Sequence, residues 1–107
     1  MAGAKIIVMY PQPKDIVAFE KVYKEEHLPL ATAKLKGVSK LVLTRVIASP
    51  MGAPAFCRIA EIHFPTMEAL QACLASPGGQ ETAAHAFAIS TGGPPVVLIG
   101  EEENAAS

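Results

Sequence analysis

Between Pro13 and Pro29 the chain sets Phe19, Tyr23 and His27 four residues apart, and this stripe constrains the fold more than any other feature. At about 100° per residue, positions i, i+4 and i+8 stay on roughly one face of a helix, so two aromatic rings and an imidazole point the same way. Ile16 and Leu30 extend the stripe, while Glu20, Lys21, Lys24 and Glu25 fall on the side expected to meet water. Asp15 is a suitable N-cap for a helix beginning at Ile16. Such a helix must lay its apolar side on something, and it carries an ionisable group where a core residue belongs. Pro29 lacks an N–H and its ring meets the carbonyl four residues back. The carbonyl of Glu25 is therefore expected to lose its helical partner and the helix to end or kink near His27. A broken turn beside an inward imidazole is a natural place for a pocket.

The surface this helix would cover is legible on either side of it. Lys5 to Tyr10 is β-branched and apolar on both parities and is closed by Pro11-Gln12-Pro13, as in a central strand covered on both faces. After Lys36-Gly37, a helix exit, residues 38–47 read as a long strand, and the turn Pro50 to Pro54 leads to a second one at residues 56–64. On that strand Glu61 and His63 share a parity with Cys57 and Ile59, opposite Phe56, Ala60, Ile62 and Phe64. Thr66 caps a helix through Met67, Leu70 and Leu74, stopped by Ser76-Pro77-Gly78-Gly79; a shorter helix is expected over residues 80–89. Gly92-Gly93-Pro94-Pro95 releases the chain into a last strand, residues 96–99, and residues 101–107 read as a frayed acidic tail. The order βαββαβ predicts a single α+β domain over residues 1–107, ferredoxin-like, with an antiparallel sheet carrying its helices on one face. The first and last strands are apolar on both parities, so the bare face is expected to meet a second copy across a two-fold axis, giving a dimeric α/β barrel.

Composition narrows the partners. Half of the 107 residues are hydrophobic, with mean hydropathy +0.31 and no apolar run of membrane-spanning length, so the surplus apolar surface points to a protein interface. Nine basic against ten acidic residues give a net charge of -1 without a basic run, which argues against nucleic acid as a partner. Cys57 and Cys73 belong to no metal-ligand spacing and read as small buried apolar residues of a reduced, cytoplasmic protein. Met1 to Lys5 runs straight into a strand, leaving no room for an export signal.

The chemistry-bearing residues are few. His27 can move a proton near neutral pH, or can sit buried against a carbonyl freed by Pro29. Tyr23 and Tyr10 can donate phenolic hydrogen bonds to a carbonyl or enolate, or can pack their rings. Phe19 and Leu30 are candidate walls of the same pocket. Glu61 and His63 are a candidate polar pair for a ligand, too few for a stable metal site. Arg45 is expected to form an ion pair, with Glu61 across the hairpin, or to line the dimer interface, His85 to be exposed, and Phe56, Phe64 and Phe87 to be core. No dinucleotide fingerprint, phosphate loop or metal cluster occurs, so no cofactor is implied by any motif.

Tyr10-Pro11-x-Pro13-x-Asp15, the run from Phe19 through His27-Leu28-Pro29-Leu30-Ala31, Ser76-Pro77-x-Gly79-Gln80 and Thr91-Gly92-Gly93 followed by an apolar strand and Gly100-Glu101 together resemble the EthD family of dimeric α+β barrels. The resemblance covers nearly the whole chain, and its most specific part is the Tyr23 to Pro29 segment. Glu26 stands where threonine is common in the family, and Val22 replaces a frequent aromatic. The resemblance implies a small cytoplasmic homodimer, in a family often labelled oxidoreductase. Related barrels include cofactor-free monooxygenases, lactone isomerases, polyketide cyclases and haem proteins, so the fold leaves the reaction open.

Three functional expectations follow. The first is a cofactor-independent enzyme acting on a small apolar carbonyl or aromatic compound, with His27 moving a proton and a tyrosine holding the oxyanion. The second is a non-catalytic or stress-associated barrel that binds such a compound. The third, resting on fold analogy alone, is haem binding through His27.

Overall fold

The computed structural model describes residues 3–103. Its elements follow the expected order. Strand β1 (Ala4–Pro11) leads to helix α1 (Ile16–Val22), a π-turn (Tyr23–His27) and helix α2 (Leu28–Lys34). Strands β2 (Lys40–Arg45) and β3 (Phe56–Phe64), helices α3 (Met67–Ala75) and α4 (Pro77–Ile89), and strand β4 (Val96–Glu101) complete the chain. All strand pairs are antiparallel in the order β2-β3-β1-β4, the ferredoxin-like arrangement.

Pro29 does not end the helix. Leu28 donates its N–H to the carbonyl of Tyr23, five residues back, and this wider turn sets Pro29 in the first turn of α2, where a missing N–H costs little. The π-turn also corrects the phase of the stripe. In an α-helix every fourth residue drifts by about 40° around the axis, and the extra residue in the turn takes up that drift. Phe19, Tyr23, His27 and Ala31 are consequently all buried, and Leu30, the expected next member, stands aside half-buried.

Other local signals are read as expected. Asp15 and Thr66 accept the N–H groups of Ala18 and Ala69, and Gly37 takes φ +81 at the exit from the first helical layer. β2 is shorter than residues 38–47. Helix α4 begins at Pro77 rather than residue 80, because Ser76 caps it by accepting the N–H of Gly79. A side chain at Gly79 would run into the carbonyl of Cys73, so glycine permits the tight α3–α4 corner. Glu101 belongs to β4, and Glu102 donates its N–H to Gly3 at 2.8 Å; the remainder of the expected tail, residues 104–107, lies outside the described residues.

The core lies between the helices and one sheet face, formed by Ala4, Ile6, Val8 and Tyr10 of β1 and Ala60, Ile62 and Phe64 of β3 against Phe19, Tyr23, Leu70, Cys73, Ala86 and Ile89. Both cysteines are free and buried. Phe64 is core as expected, Phe56 only half-buried, and Phe87 is 52% exposed. Phe87 is turned outward because the buried stripe of α4 runs through Thr82, Ala86 and Ile89.

Candidate functional site

The stripe and the first strand meet under the helices. Tyr10, at the end of β1, has its ring edge-on to Tyr23 with centroids 5.6 Å apart, and Phe19 lies flat on Tyr23 at the same distance. His27 continues the row, 5.9 Å from Tyr23. The Tyr10 hydroxyl lies 3.2 Å from His27 Nε2 in a buried hydrogen bond. On its other side, His27 Nδ1 is 2.9 Å from Nδ1 of His85 on α4. The two imidazole planes are only 10° apart and their centroids 5.1 Å apart, so the facing nitrogens are much closer than the ring centres. The rings therefore meet edge to edge, with the lone pair of one nitrogen in line with the N–H of the other.

Tyr10, Tyr23 and His27 border a cavity of about 80 Å³ between sheet and helices. Its wall is almost wholly apolar: Ile6, Val8, Ala60 and Ile62 from the sheet, Leu28, Ala31 and Leu35 around the first helical layer, and Cys73, Ala83, Ala86 and Phe87 from α3 and α4. Tyr10, Tyr23, His27 and Thr82 supply the polar side chains, and the Thr82 hydroxyl is already committed to the carbonyl of Gly78 at 2.8 Å. The Tyr23 hydroxyl is the only buried side-chain polar atom without a partner among the described residues. An unmade hydrogen bond of that kind costs about 1–3 kcal/mol.

Burial sets the protonation states. It is the main reason that the His27 pKa is lowered to about 4, with the charge of His85 adding to the effect, so His27 is a neutral imidazole at pH 7. Burial likewise pushes Tyr23 up to about 12 and raises Tyr10 further, and both are neutral phenols able to donate. Beneath Tyr23 lies an ion pair absent from the sequence reading. Arg58 of β3 sets its guanidinium 5.0 Å from the centre of the Tyr23 ring and donates Nε and Nη2 to Glu20 at 2.9 and 2.7 Å. The bidentate contact is the chief cause that holds the Glu20 carboxyl below its ordinary range and raises Arg58. Glu20 thus does not face water as expected. β1 and β3 slip register between Tyr10 and Pro11, so Cys57 is skipped in the pairing while Arg58 stays opposite Tyr10 on the covered face.

Of the residues singled out from sequence, Tyr10, Tyr23 and His27 come together at the cavity. Phe19 supports Tyr10 and Tyr23 from the core without lining the cavity, and Leu30 is replaced by Ala31. Glu61 and His63 lie on the opposite face of the sheet, because their parity on β3 is that of Lys5 and Ile7 rather than of Ile6 and Tyr10. There Glu61 accepts from Lys5 at 3.0 Å, and His63 lies 3.9 Å from Glu61 and 3.7 Å from Glu102. Arg45 is exposed and paired in register with Arg58, not with Glu61.

The sequence reading missed His85, Arg58 and Glu20. A signal existed for two of them. His85 lies three residues after Thr82 and four before Ile89, on the flank of the buried stripe of α4, and Arg58 shares the apolar parity of Ala60, Ile62 and Phe64. Among the described residues no three His, Cys, Asp or Glu side chains converge as metal ligands.

A four-stranded antiparallel sheet with helices on one face and a cavity beneath them is the ferredoxin-like α+β architecture. The EthD domain model matches residues 13–86, and the chain belongs to the EthD family. It is similar to an EthD family protein of Bacillus halodurans, 33% identical, with a TM-score of 0.86 over 96% of this chain and 100% of that one. An uncharacterised 11.0 kDa protein from the thcB-thcC intergenic region of Rhodococcus erythropolis is 24% identical over 92% of this chain and 94% of its own. In fold alone the chain resembles SnoaB, a cofactor-independent oxygenase of Streptomyces nogalater, at 15% identity and a TM-score of 0.61 over 98% and 95% of the two chains. A dimeric ferredoxin-like protein of unknown function from Jannaschia sp. matches at 15% identity, with a TM-score of 0.64 over 95% and 99%. Among the described residues no helix is long and apolar enough to cross a membrane.

Proposed function

We propose that this protein is a cofactor-independent enzyme that moves a proton on a small, neutral, mostly apolar carbonyl or aromatic compound. The observation that carries this reading is the neutral His27 imidazole, hydrogen-bonded to Tyr10, at the wall of an otherwise apolar cavity. The wall disfavours a charged ligand, since its lining offers a charge no ionised partner. Tyr23, with its hydroxyl unpaired, supplies the hydrogen bond that a ligand oxygen would take as negative charge develops on it. A cavity of about 80 Å³ has room for roughly six non-hydrogen atoms, given about one water-sized probe per 10–15 Å³. The likeness to a cofactor-independent oxygenase agrees with a barrel that works through its own side chains.

One observation favours a second reading, a binding protein without chemistry: an imidazole with its pKa near 4 is a weak base toward a carbon acid. Cyclopentanone, which carries enolisable C–H groups beside its carbonyl, and methylcyclopentane, of the same size without oxygen, separate the two when offered in D₂O to the wild type, His27→Ala and Tyr23→Phe with binding and deuterium uptake followed together. The enzyme reading expects product, here cyclopentanone deuterated beside its carbonyl, above the rate in buffer alone, and its loss in His27→Ala. Binding that weakens in both variants, with no product from the wild type, establishes the second reading.

The same proposal makes the protein a cytoplasmic homodimer joined through the face of the sheet opposite the helices. Ile7, Met9, Val42, Ile59 and Leu98 share that face in register, and water is a poor cover for them. Two buried free thiols suit a reducing compartment. Met9→Lys is expected to convert a dimer to a monomer in sedimentation equilibrium; a monomeric wild type would remove this part of the reading.

A further inference from the structure

The contact between His27 and His85 has a property that ordinary buried histidine contacts lack: both partners use the same ring nitrogen. Two Nδ1–H groups cannot face each other at 2.9 Å, and two bare Nδ1 atoms make no bond, so one proton lies between the rings. Each ring then has its Nε2 free to face the other way. His27 Nε2 meets Tyr10 at the buried end, and His85 Nε2 points toward the Glu26 carboxylate, 3.9 Å away, at the outer end. The His85 side chain is a quarter exposed and that of Glu26 two-thirds exposed, so this end reaches solvent.

We propose that His27 and His85 form a two-imidazole path that carries a proton between the cavity and solvent, with His85 acting through His27 as its outlet. The bookkeeping of the step is closed. A proton passed to His27 Nε2 by Tyr10, which takes one from a ligand in the cavity in exchange, is matched by transfer of the Nδ1 proton of His27 to Nδ1 of His85 and by release of the Nε2 proton of His85 to water. His27 ends with its proton on Nε2, donating to the Tyr10 oxygen, and His85 ends with its proton on Nδ1, donating to His27. Every hydrogen bond of the row is kept in both states, because a phenol oxygen accepts as well as donates. The reverse passage resets the row.

Such a path also answers the weakness of His27 as a base. A charge taken up in the apolar interior is expensive there, and passing a proton outward removes it to the rim as it forms. Glu26 places a carboxylate beside that outer nitrogen.

The inference rests on the reading that His27 handles a proton, but its test needs no substrate. In the full-length, ¹⁵N-labelled protein, long-range ¹⁵N–¹H spectra should show one low-field proton shared by the Nδ1 atoms of His27 and His85. Separate protons on both Nδ1 atoms would overturn the proposal without any variant. The exchange of the His27 ring proton with water should slow at least tenfold in His85→Phe, which fills the same space without nitrogens. It should slow as much in His85→Gln, which can still hydrogen-bond to His27 but cannot pass a proton across a ring. Wild-type exchange in His85→Gln means a tether, and faster exchange in both variants means a door; either result removes the path. Slow exchange together with unchanged turnover in His27→Ala keeps the path and ends the catalytic role of His27, whereas lost turnover with unaltered exchange does the reverse.

Discussion

The two faces of this sheet carry the same kinds of residue and put them to opposite uses. Under the helices, His27 is enclosed by Tyr10, Tyr23 and Leu28, and its bonding partners are a phenol and another imidazole. On the opposite face, His63 is as little exposed, at 8% against 6%, yet it sits between the carboxylates of Glu61 and Glu102 with Lys5 alongside. Each face also has an ion pair. Arg58–Glu20 is bidentate and largely hidden, whereas Lys5–Glu61 is a single contact with about a quarter of each side chain exposed. Burial by itself therefore does not distinguish the two histidines; the chemistry of the neighbours does. An apolar, carboxylate-free surround keeps an imidazole neutral and available to shuttle a proton.

The largest effect that would break or sharpen this contrast is on the covered ion pair. Glu20→Ala leaves the Arg58 guanidinium buried without its partner and is expected to cost about 3 kcal/mol, the lower end for a broken buried pair because the carboxylate is partly exposed. Urea unfolding of the variant reads this directly.

Next comes the pH response of His27. Its pKa is about 4 in the folded protein against 6.5 for the free side chain, so the unfolded chain binds the proton more tightly. The stability tied to the neutral form is fully present above pH 6.5 and is lost as pH falls toward 4, on the order of 3 kcal/mol at 1.36 kcal/mol per unit. The stability difference between wild type and His27→Gln should shift by that amount between pH 7 and 4.

Tyr23→Phe is expected to act in the other direction. Removing an unpaired buried hydroxyl should leave the melting transition unchanged or raise stability by about 1 kcal/mol, while weakening binding of an oxygenated ligand. A destabilised variant would show that the hydroxyl has a partner in solution. The smallest effect is expected on the opposite face, where Lys5→Ala should cost about 0.5 kcal/mol as for other exposed pairs. A loss several times larger in the assembled protein would show that a second copy seals that face.

What the sequence made legible was local or periodic. The βαββαβ order followed from two-sided apolar strands and from the Pro50–Pro54 and Gly92–Pro95 punctuation. Asp15 and Thr66 announced their caps, and the spacing of Phe19, Tyr23 and His27 gave the core of the site. The expected break at Pro29 was a near miss, since a proline permits either an end or a widened turn, and only packing against the sheet selects the turn that keeps His27 inward.

What the tertiary structure alone decided was the company each of these residues keeps. His85 stands 58 positions from His27, and Arg58 stands 38 from Glu20, distances along the chain at which no helical or strand period speaks. Parity placed Glu61 and His63 on one face of a strand, but which face the helices would cover was fixed by the packing of the assembled sheet. Periodicity records a residue's orientation relative to its own element, because backbone geometry sets it locally. Pairing of an imidazole with another imidazole, or of a guanidinium with a distant carboxylate, is settled only when separate elements dock.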